Sequence, residues 1–433
     1  MKIAIIGGAG VRTPLLVNGL AESDLPIDEI ALFDTDGERL ALIAGVARAF
    51  ASCVRTYADV VPCVSGASFV ILSIRAGGIA ARAHDEAIAV EHGVVGQETV
   101  GAAGFAMAMR NVPPAVEYAR LIERHAPSAW IVNFTNPVGI VTQAITTVTA
   151  ARVVGICDTP TELFEAVAAV LGVESSRCEF DYFGLNHLGW LREVRVDGTP
   201  ELARIWSNPA LLDRVYRAPL FDRSFLEALR LLPTEYLFYY YSPDRALANT
   251  RHASHTRGQA IASLNDRLFR DLGAVDADPR RIYDAYLRSR NAGYMQIESG
   301  SAAGIASPSW ADLTGYDKIA LQVIRAMHMD SNATLPVNVV NAGAIADLRA
   351  DDVVEIPCIV NATGAHPRTV GAVPDSVRDL IVRVKEYERM TIAAAASRTI
   401  DDAVRALAHN PLVADATLAR RLAGALRLDS QDG

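Results

Sequence analysis

"IIGGAGVRTPLL" (residues 5–16) is the stretch on which the fold turns. The apolar run "KIAIIG" (2–7) leads into Gly7, Gly8 and Gly10, and Thr13 with Pro14 then makes a good helix start. Threonine caps a helix and proline suits its first position. Strand, glycine turn and helix N-terminus in that order let the backbone approach a pyrophosphate, the arrangement of a dinucleotide-binding unit. The third glycine of GxGxxG is replaced by Thr13. Asp34, ending the second strand, stands where a ribose hydroxyl would be held, which favours NAD over NADP. A glycine turn with no ligand is the bland alternative. Arg12 is the anomaly, a cation where the chain should be settling around a phosphate.

Outward from this turn, apolar strands alternate with helical patterns: "EIALFD" (29–34), "FVILSI" (69–74), "WIVNF" (130–134) and "RVVGIC" (152–157), with helices from 13, about 37 and about 138 to 149. This is the rhythm of right-handed βαβ units, and the strands are apolar throughout, as a parallel sheet covered on both faces requires. The expected fold class is α/β, a Rossmann-like doubly wound parallel sheet. After Cys178 the character changes. "CEFDYFGLNHLGWLREVRV" (178–196) reads as two strands, helical patterns dominate from about 200 to 330, and the strands "PVNVVN" (336–341) and "VVEIPCIV" (353–360) precede a helix from about 373 to 398. We therefore expect residues 1–176 to form the NAD-binding domain. Residues 177–433 are expected to form a largely helical α+β domain for substrate, metal and oligomerisation, like the carboxyl-terminal part of lactate or malate dehydrogenase.

The chain has 433 residues, 51% of them hydrophobic, and a net charge of -9. That charge opposes a phosphate-tracking nucleic-acid binder but allows a local pocket for one small anion. No apolar run reaches the roughly 18 residues of a membrane helix. The opening residues show no basic region, apolar core and cleavage site in series, so no secretory signal is expected and cytoplasm is the expected compartment. Five cysteines without a CxxC pair make neither a disulfide framework nor a structural zinc site.

Further blocks follow in order: "GVVGQETVGAAGF" (93–105), "IVNFTNPVGIVTQA" (131–144), "GICDTP" (155–160), "FGLNHLGW" (183–190), "TEYLFYYY" (234–241), "HTRGQAI" (255–261) and "VVEIPC" (353–358). Together they resemble glycoside hydrolase family 4, the NAD- and divalent-metal-dependent glycosidases that include 6-phospho-glucosidases. The resemblance covers nearly the whole chain. It implies that Cys157 and His187 hold manganese or a similar ion against the sugar hydroxyls. A thiolate and an imidazole suit such an ion, and two protein ligands leave positions open for substrate oxygens.

The implied reaction is elimination. Carbon 3 of the sugar is oxidised by NAD, a base removes the acidified proton on carbon 2, the aglycone leaves, water adds and the hydride returns. The matching base is Tyr236, expected with a lowered pKa, and Asp158 beside the metal cysteine is either a general acid or a tuner of cysteine and metal. Asn133 is expected with Gly7, Gly8, Gly10 and Asp34 at the cofactor. Arg82, Asn136, Asn186 and Arg257 are expected at the phosphorylated sugar, arginine because its planar fork donates two bonds at once. For each the bland alternative is a buried structural residue or a surface ion pair.

Two departures bear on specificity. Many relatives carry serine or threonine and then an aromatic residue before "TP" in the first loop, where this chain has Val11 and Arg12. An Asn after the metal cysteine tends to accompany β-linked substrates and an Asp, present here as Asp158, α-linked ones. Length and the "NFTNPVGIVTQ" and "GLNHLGW" blocks point toward a 6-phospho-β-glucosidase, with a 6-phospho-α-glucosidase or a glycosidase of unphosphorylated sugars as alternatives. A 2-hydroxy acid dehydrogenase fits the first domain alone. Arg12 is either a contact for an anionic group on the sugar or the partner of a nearby carboxylate. Family habit implies a homodimer or homotetramer.

Overall fold

A computed structural model describes residues 1–426 apart from 217, 275–277, 294–296, 298, 299, 301–314 and 414. Strands β1 (Lys2–Ile6), β2 (Glu29–Phe33), β3 (Val54–Tyr57), β4 (Ala67–Leu72), β5 (Trp130–Asn133) and β6 (Arg152–Gly155) lie parallel in the order 3-2-1-4-5-6. That is the doubly wound order, with its switch point between β1 and β4. The strands are buried because helices cover both faces, which is why they carry so few polar residues. Cys157 lies two residues beyond the end of β6 rather than at its end.

The chain beyond residue 177 does not stay apart from this sheet. Strands β7 (Cys178–Leu185) and β8 (Leu188–Val196) form a hairpin that, with β9 (Thr199–Pro200) and β10 (Leu232–Pro233), makes a separate antiparallel sheet. Strands β11 (Ala333–Val340), β12 (Val353–Asn361) and β13 (Gly364–Pro367) instead extend the first sheet beyond β6, giving nine strands, all three additions antiparallel. The join is a single point where Asn338 faces Gly155. A Cβ at Gly155 would sit 2.7 Å from Val138 Cγ1 and 2.8 Å from Asn338 Cβ, so glycine is what permits the join.

The opening turn is fixed the same way. Gly7 has φ +91° and its missing Cβ would fall inside contact distance of the Ser73 carbonyl oxygen at the exit of β4. Gly7 N and Gly8 N both donate to Phe33 O, at 3.0 and 2.9 Å. The turn is thereby clamped between β2 and β4, with the helix Thr13–Glu22 starting on its far side. Among the described residues no helix is long and apolar enough to cross a membrane.

Gly7→Ala should destabilise the fold by more than about 2 kcal/mol, because it combines a left-handed backbone with a carbonyl clash. Gly45→Ala, inside the helix Gly37–Arg48 with nothing within 4 Å of the added carbon, should stabilise by about 0.5–1 kcal/mol. Thermal unfolding of both variants checks the pair, and equal effects would refute the clamp.

Candidate active site

The carboxyl ends of the parallel strands open into one cavity of about 1420 Å³. Gly7, Gly10, Arg12, Asp34, Arg82, Asn136, Cys157, Asp158, His187, Tyr236 and Arg257 all line it. Three expected residues do not. Gly8 backs onto Leu32, where an added Cβ would lie 3.0 Å from the leucine Cβ. Asn133 is fully buried at the end of β5, donating to Thr142 Oγ1 at 3.0 Å and accepting from Thr135 N at 2.9 Å, so its amide braces the strand exit instead of facing a cofactor. Asn186 donates to Glu355 at 3.3 Å, behind the cavity wall.

The glycine turn carries its own acid. Ala9 N donates to Asp34 Oδ2 at 2.9 Å and Asp36 N to Asp34 Oδ1 at 3.1 Å, which orients the carboxylate at the cavity rim. Asn136 Oδ1, by contrast, is buried without a hydrogen-bond partner among the described residues. A buried acceptor left open in a cavity wall is the signature of a ligand donor, since such an atom otherwise costs about 1–3 kcal/mol.

His187 occupies the second position of the two-residue turn between β7 and β8, with φ +62°, a left-handed conformation that histidine adopts at a cost. Its tautomer follows by elimination. Gln97 Oε1 accepts from two backbone N–H groups, of Thr99 at 2.7 Å and Val100 at 3.0 Å, so it is an oxygen, and the Thr99 hydroxyl must spend its hydrogen on it at 2.8 Å. Thr99 Oγ1, 2.9 Å from His187 Nδ1, is therefore the acceptor there, and Nδ1 carries the ring hydrogen. Nε2 is left with its lone pair. Burial lowers the imidazole to about 4, so the ring is neutral at pH 7.

Against this ring lies Tyr236, stacked at 3.8 Å between centroids and 3° between planes. Of the tyrosines in "TEYLFYYY", Tyr236 and Tyr239 line the cavity. The expected lowered pKa is not found. Burial, and then the charges of Glu235, Glu98, Cys157 and Asp158, push the phenol well above its usual value. Only positive charge placed beside the ring counters these effects.

The Cys157 thiol is likewise pushed up, by burial first and then by Glu355 and Asp158, and its Sγ donates to Thr159 Oγ1 at 3.3 Å. Among the described residues no group of three or more His, Cys, Asp and Glu is placed to hold a metal. The donor set remains Cys157 and His187, which fits a borderline ion completed by substrate oxygens.

Arg12 reaches across from the glycine turn to Asp158, with Nη1 3.9 Å from Oδ2. This is the carboxylate pairing that was one of the two roles expected for it, and Arg12 also lines the cavity.

Arg82 is buried between Glu86 and Glu98, 2.8 Å from each, and Glu98 also takes Arg75 at 2.7 Å. Burial pushes the Glu98 carboxyl up, but Arg75 and Arg82 outweigh it and hold it at about 2. Arg257 donates to Arg290 O at 2.8 Å and begins a helix whose Thr256 cap and Gln259 form a capping box. Arg75, Arg82, Arg257 and Arg290 line this part of the cavity with Glu98, with Glu86 buried behind Arg82, a local surplus of cations suited to an anion.

Sequence reading passed over Arg75, Glu98, Arg290 and Glu355. Glu98 and Glu355 lie inside quoted blocks, and a lone acid in the apolar strand "VVEIPCIV" was the visible signal for the second. Arg290 has no local signal, because a helix 33 residues further on brings it to Arg257.

Thr99→Val should release the tautomer. Long-range ¹⁵N–¹H spectra should show His187 as the Nδ1–H form in the wild type and a mixture in the variant; an unchanged spectrum would refute the relay. Glu98 contributes stability that is full above its unfolded value near 4.5 and lost as pH falls toward 2, worth roughly 3 kcal/mol. Glu98→Gln should flatten the dependence of the unfolding midpoint on pH across that window. Parallel wild-type and variant profiles would count against it.

Comparison with known proteins matches this geometry to a family. Residues 2–173 match the model for "Family 4 glycosyl hydrolase" and residues 182–413 that for its C-terminal domain. A probable 6-phospho-beta-glucosidase of Bacillus subtilis (strain 168) is 31% identical, over 98% of this chain and 94% of the relative. A phospho-alpha-glucosidase of Clostridium acetobutylicum is 28% identical over 97% and 96%. The 6-phospho-beta glucosidase of Thermotoga maritima, solved with manganese, NAD+ and glucose-6-phosphate, superimposes with a TM-score of 0.82 at 27% identity, covering 98% and 97%. Likeness of fold alone extends to a malate dehydrogenase of Cryptosporidium parvum, with a TM-score of 0.53 at 13% identity over 92% and 99%. The chain belongs to glycosyl hydrolase family 4.

Proposed function

We propose that this chain is an NAD- and divalent-metal-dependent glycosidase hydrolysing the O-glycosidic bonds of 6-phospho-glucosides, with 6-phospho-β-glucosides as its nearest substrate class. The observation that carries this is the convergence, in one cavity, of the glycine turn, Asp34, the Cys157–His187 donor set, Tyr236 and an arginine cluster. The 31% identical probable 6-phospho-beta-glucosidase and the neighbour solved with manganese, NAD+ and glucose-6-phosphate support it. The 28% identical phospho-alpha-glucosidase, together with Asp158, supports the α-linked class as the second reading.

When bound, NAD supplies reversible hydride transfer at sugar carbon 3 and the divalent ion supplies positive charge for the oxygens developing at carbons 2 and 3. Gly7 and Gly10 leave room for a pyrophosphate against the N-terminus of the helix Thr13–Glu22, and Asp34 accepts from the ribose. Cys157 Sγ and His187 Nε2 hold the ion. Tyr236, as the phenolate that the charge of a bound ion would favour, would take the proton from carbon 2 at Oη, its ring fixed by the stack on His187. Arg82 and Arg257 hold the 6-phosphate, and Asn136 Oδ1 accepts from a ligand donor. Asp158, held by Arg12, faces the departing oxygen or orients the site beside Cys157. Residues 1–176 then carry the cofactor, and 177–433 supply His187, Tyr236 and Arg257. Five free thiols suit a reducing cytoplasm, and the assembly proposed is a homodimer or homotetramer.

With NAD, Mn²⁺, a thiol reductant and a chromogenic glucoside 6-phosphate in deuterated water, the product should carry deuterium at carbon 2. Product without it would sink the elimination route, and net NADH formation without a metal requirement would indicate a hydroxy-acid dehydrogenase instead. Tyr236→Phe should lower turnover by roughly 10²–10⁴-fold while binding NAD and sugar phosphate as before. A panel of α- and β-linked glycosides with and without the 6-phosphate separates the two readings of substrate.

A further inference from the structure

Glu355 is the one charged residue of β12, with Val353, Val354, Ile356, Cys358 and Val360 buried around it. It is 1% exposed. A buried carboxylate is costly unless its lone pairs are filled. Here three donors from three elements fill them. Tyr182 on β7 donates its hydroxyl to Oε2 at 2.8 Å, Asn338 on β11 its amide to Oε1 at 2.8 Å, and Asn186 in the β7–β8 turn its amide to Oε1 at 3.3 Å.

Two of these arms end beside the metal-ligating residues. Asn186 and His187 together make up the turn, and His187 holds a left-handed backbone that a non-glycine residue keeps only when its surroundings enforce it. Asn338 faces Gly155, the last residue of β6, two positions before Cys157. One carboxylate therefore ties the strand leading to Cys157 to the turn carrying His187. No other group named in the site spans both. Thr99 fixes the tautomer of the imidazole but not its distance from the thiol.

We propose that Glu355 is the positioning residue of the two-ligand metal site, setting the separation of Cys157 and His187 without itself touching the ion. The inference rests on the reading that these two residues hold a divalent cation. Outer partners of metal ligands typically contribute 10–100-fold in affinity.

The test measures free Mn²⁺ by electron paramagnetic resonance, NAD binding by calorimetry and the thermal midpoint, on the full chain. Cys157→Ser probes the underlying reading: if it binds Mn²⁺ as the wild type does, that reading fails and the inference falls with it. Given loss in Cys157→Ser, Glu355→Gln should bind Mn²⁺ roughly 10–100-fold more weakly, with NAD affinity within twofold of wild type. Glu355→Asp, which keeps the charge but is too short to reach all three donors, should fall between. Mn²⁺ affinity within threefold of wild type in Glu355→Gln would overturn the proposal, as would parallel losses of Mn²⁺ affinity, NAD affinity and midpoint, the mark of a merely structural role. Should Glu355→Gln not fold, Asn186→Ala removes the arm to the His187 turn at a half-buried position; it should weaken Mn²⁺ severalfold and leave NAD unchanged, and wild-type Mn²⁺ affinity there would equally overturn it.

Discussion

Six parallel strands must end on the same side of their sheet, and that constraint places the site. Five of the turns leaving those carboxyl ends, after Ile6, Phe33, Leu72, Asn133 and Gly155, open toward one crevice beside the switch point between β1 and β4. The clamp of Gly7 between the Phe33 and Ser73 carbonyls keeps two of those turns in register. With that register held, Asp34 and Cys157 reach the same cavity from strands at different places in the sheet. Antiparallel strands contribute differently, by residues in mid-strand. Glu355 and Asn338 approach the crevice sideways, which is how a carboxylate far along the chain comes to lie behind a turn formed some 170 residues earlier.

Much of this was legible in residues 5–16 and the apolar strands. Thr13 with Pro14 marks the helix start, though Arg12 rather than Thr13 stands at the cap, without a side-chain bond, and Pro14 takes the second helical position; the parallel order follows from strands alternating with helices. The short β3 escaped because "VRTY" is half exposed and lacks an apolar run. The strands 336–341 and 353–360 were visible as strands, but their partners were not. Pairing across to β6 depends on Gly155 having no side chain, a tertiary fact with no local periodicity.

The site was legible where chemistry needs a rare residue in a fixed place, as with Cys157, His187 and Tyr236. It was illegible where a common residue acts through its partner. The family resemblance implied a cofactor contact for Asn133, yet its amide satisfies Thr135 and Thr142. Arg12 was open between a sugar contact and a carboxylate partner; Asp158 is a carboxylate it reaches, and its side chain still lines the cavity. Sequence position does not reveal direction, and a side chain's direction decides which of these roles it plays.

The charge pattern of the cavity divides it into two kinds of ground. Around Glu98 the arginines Arg75, Arg82, Arg257 and Arg290 outnumber the acids, so an anion entering there meets fixed positive charge already held in place. Around Cys157 burial acts the other way. It pushes the thiol, the Tyr236 phenol and the Glu355 carboxyl up, the last only to about 7 because three donors fill its oxygens, and the imidazole down, so each is shifted toward its uncharged form. Three of these can become anions by losing a proton and the fourth offers a lone pair at Nε2. Such a set favours an incoming cation. The two kinds of ground meet at His187 and Tyr236, for the Glu98 charge bears on both rings and Thr99, its chain neighbour, bonds the imidazole.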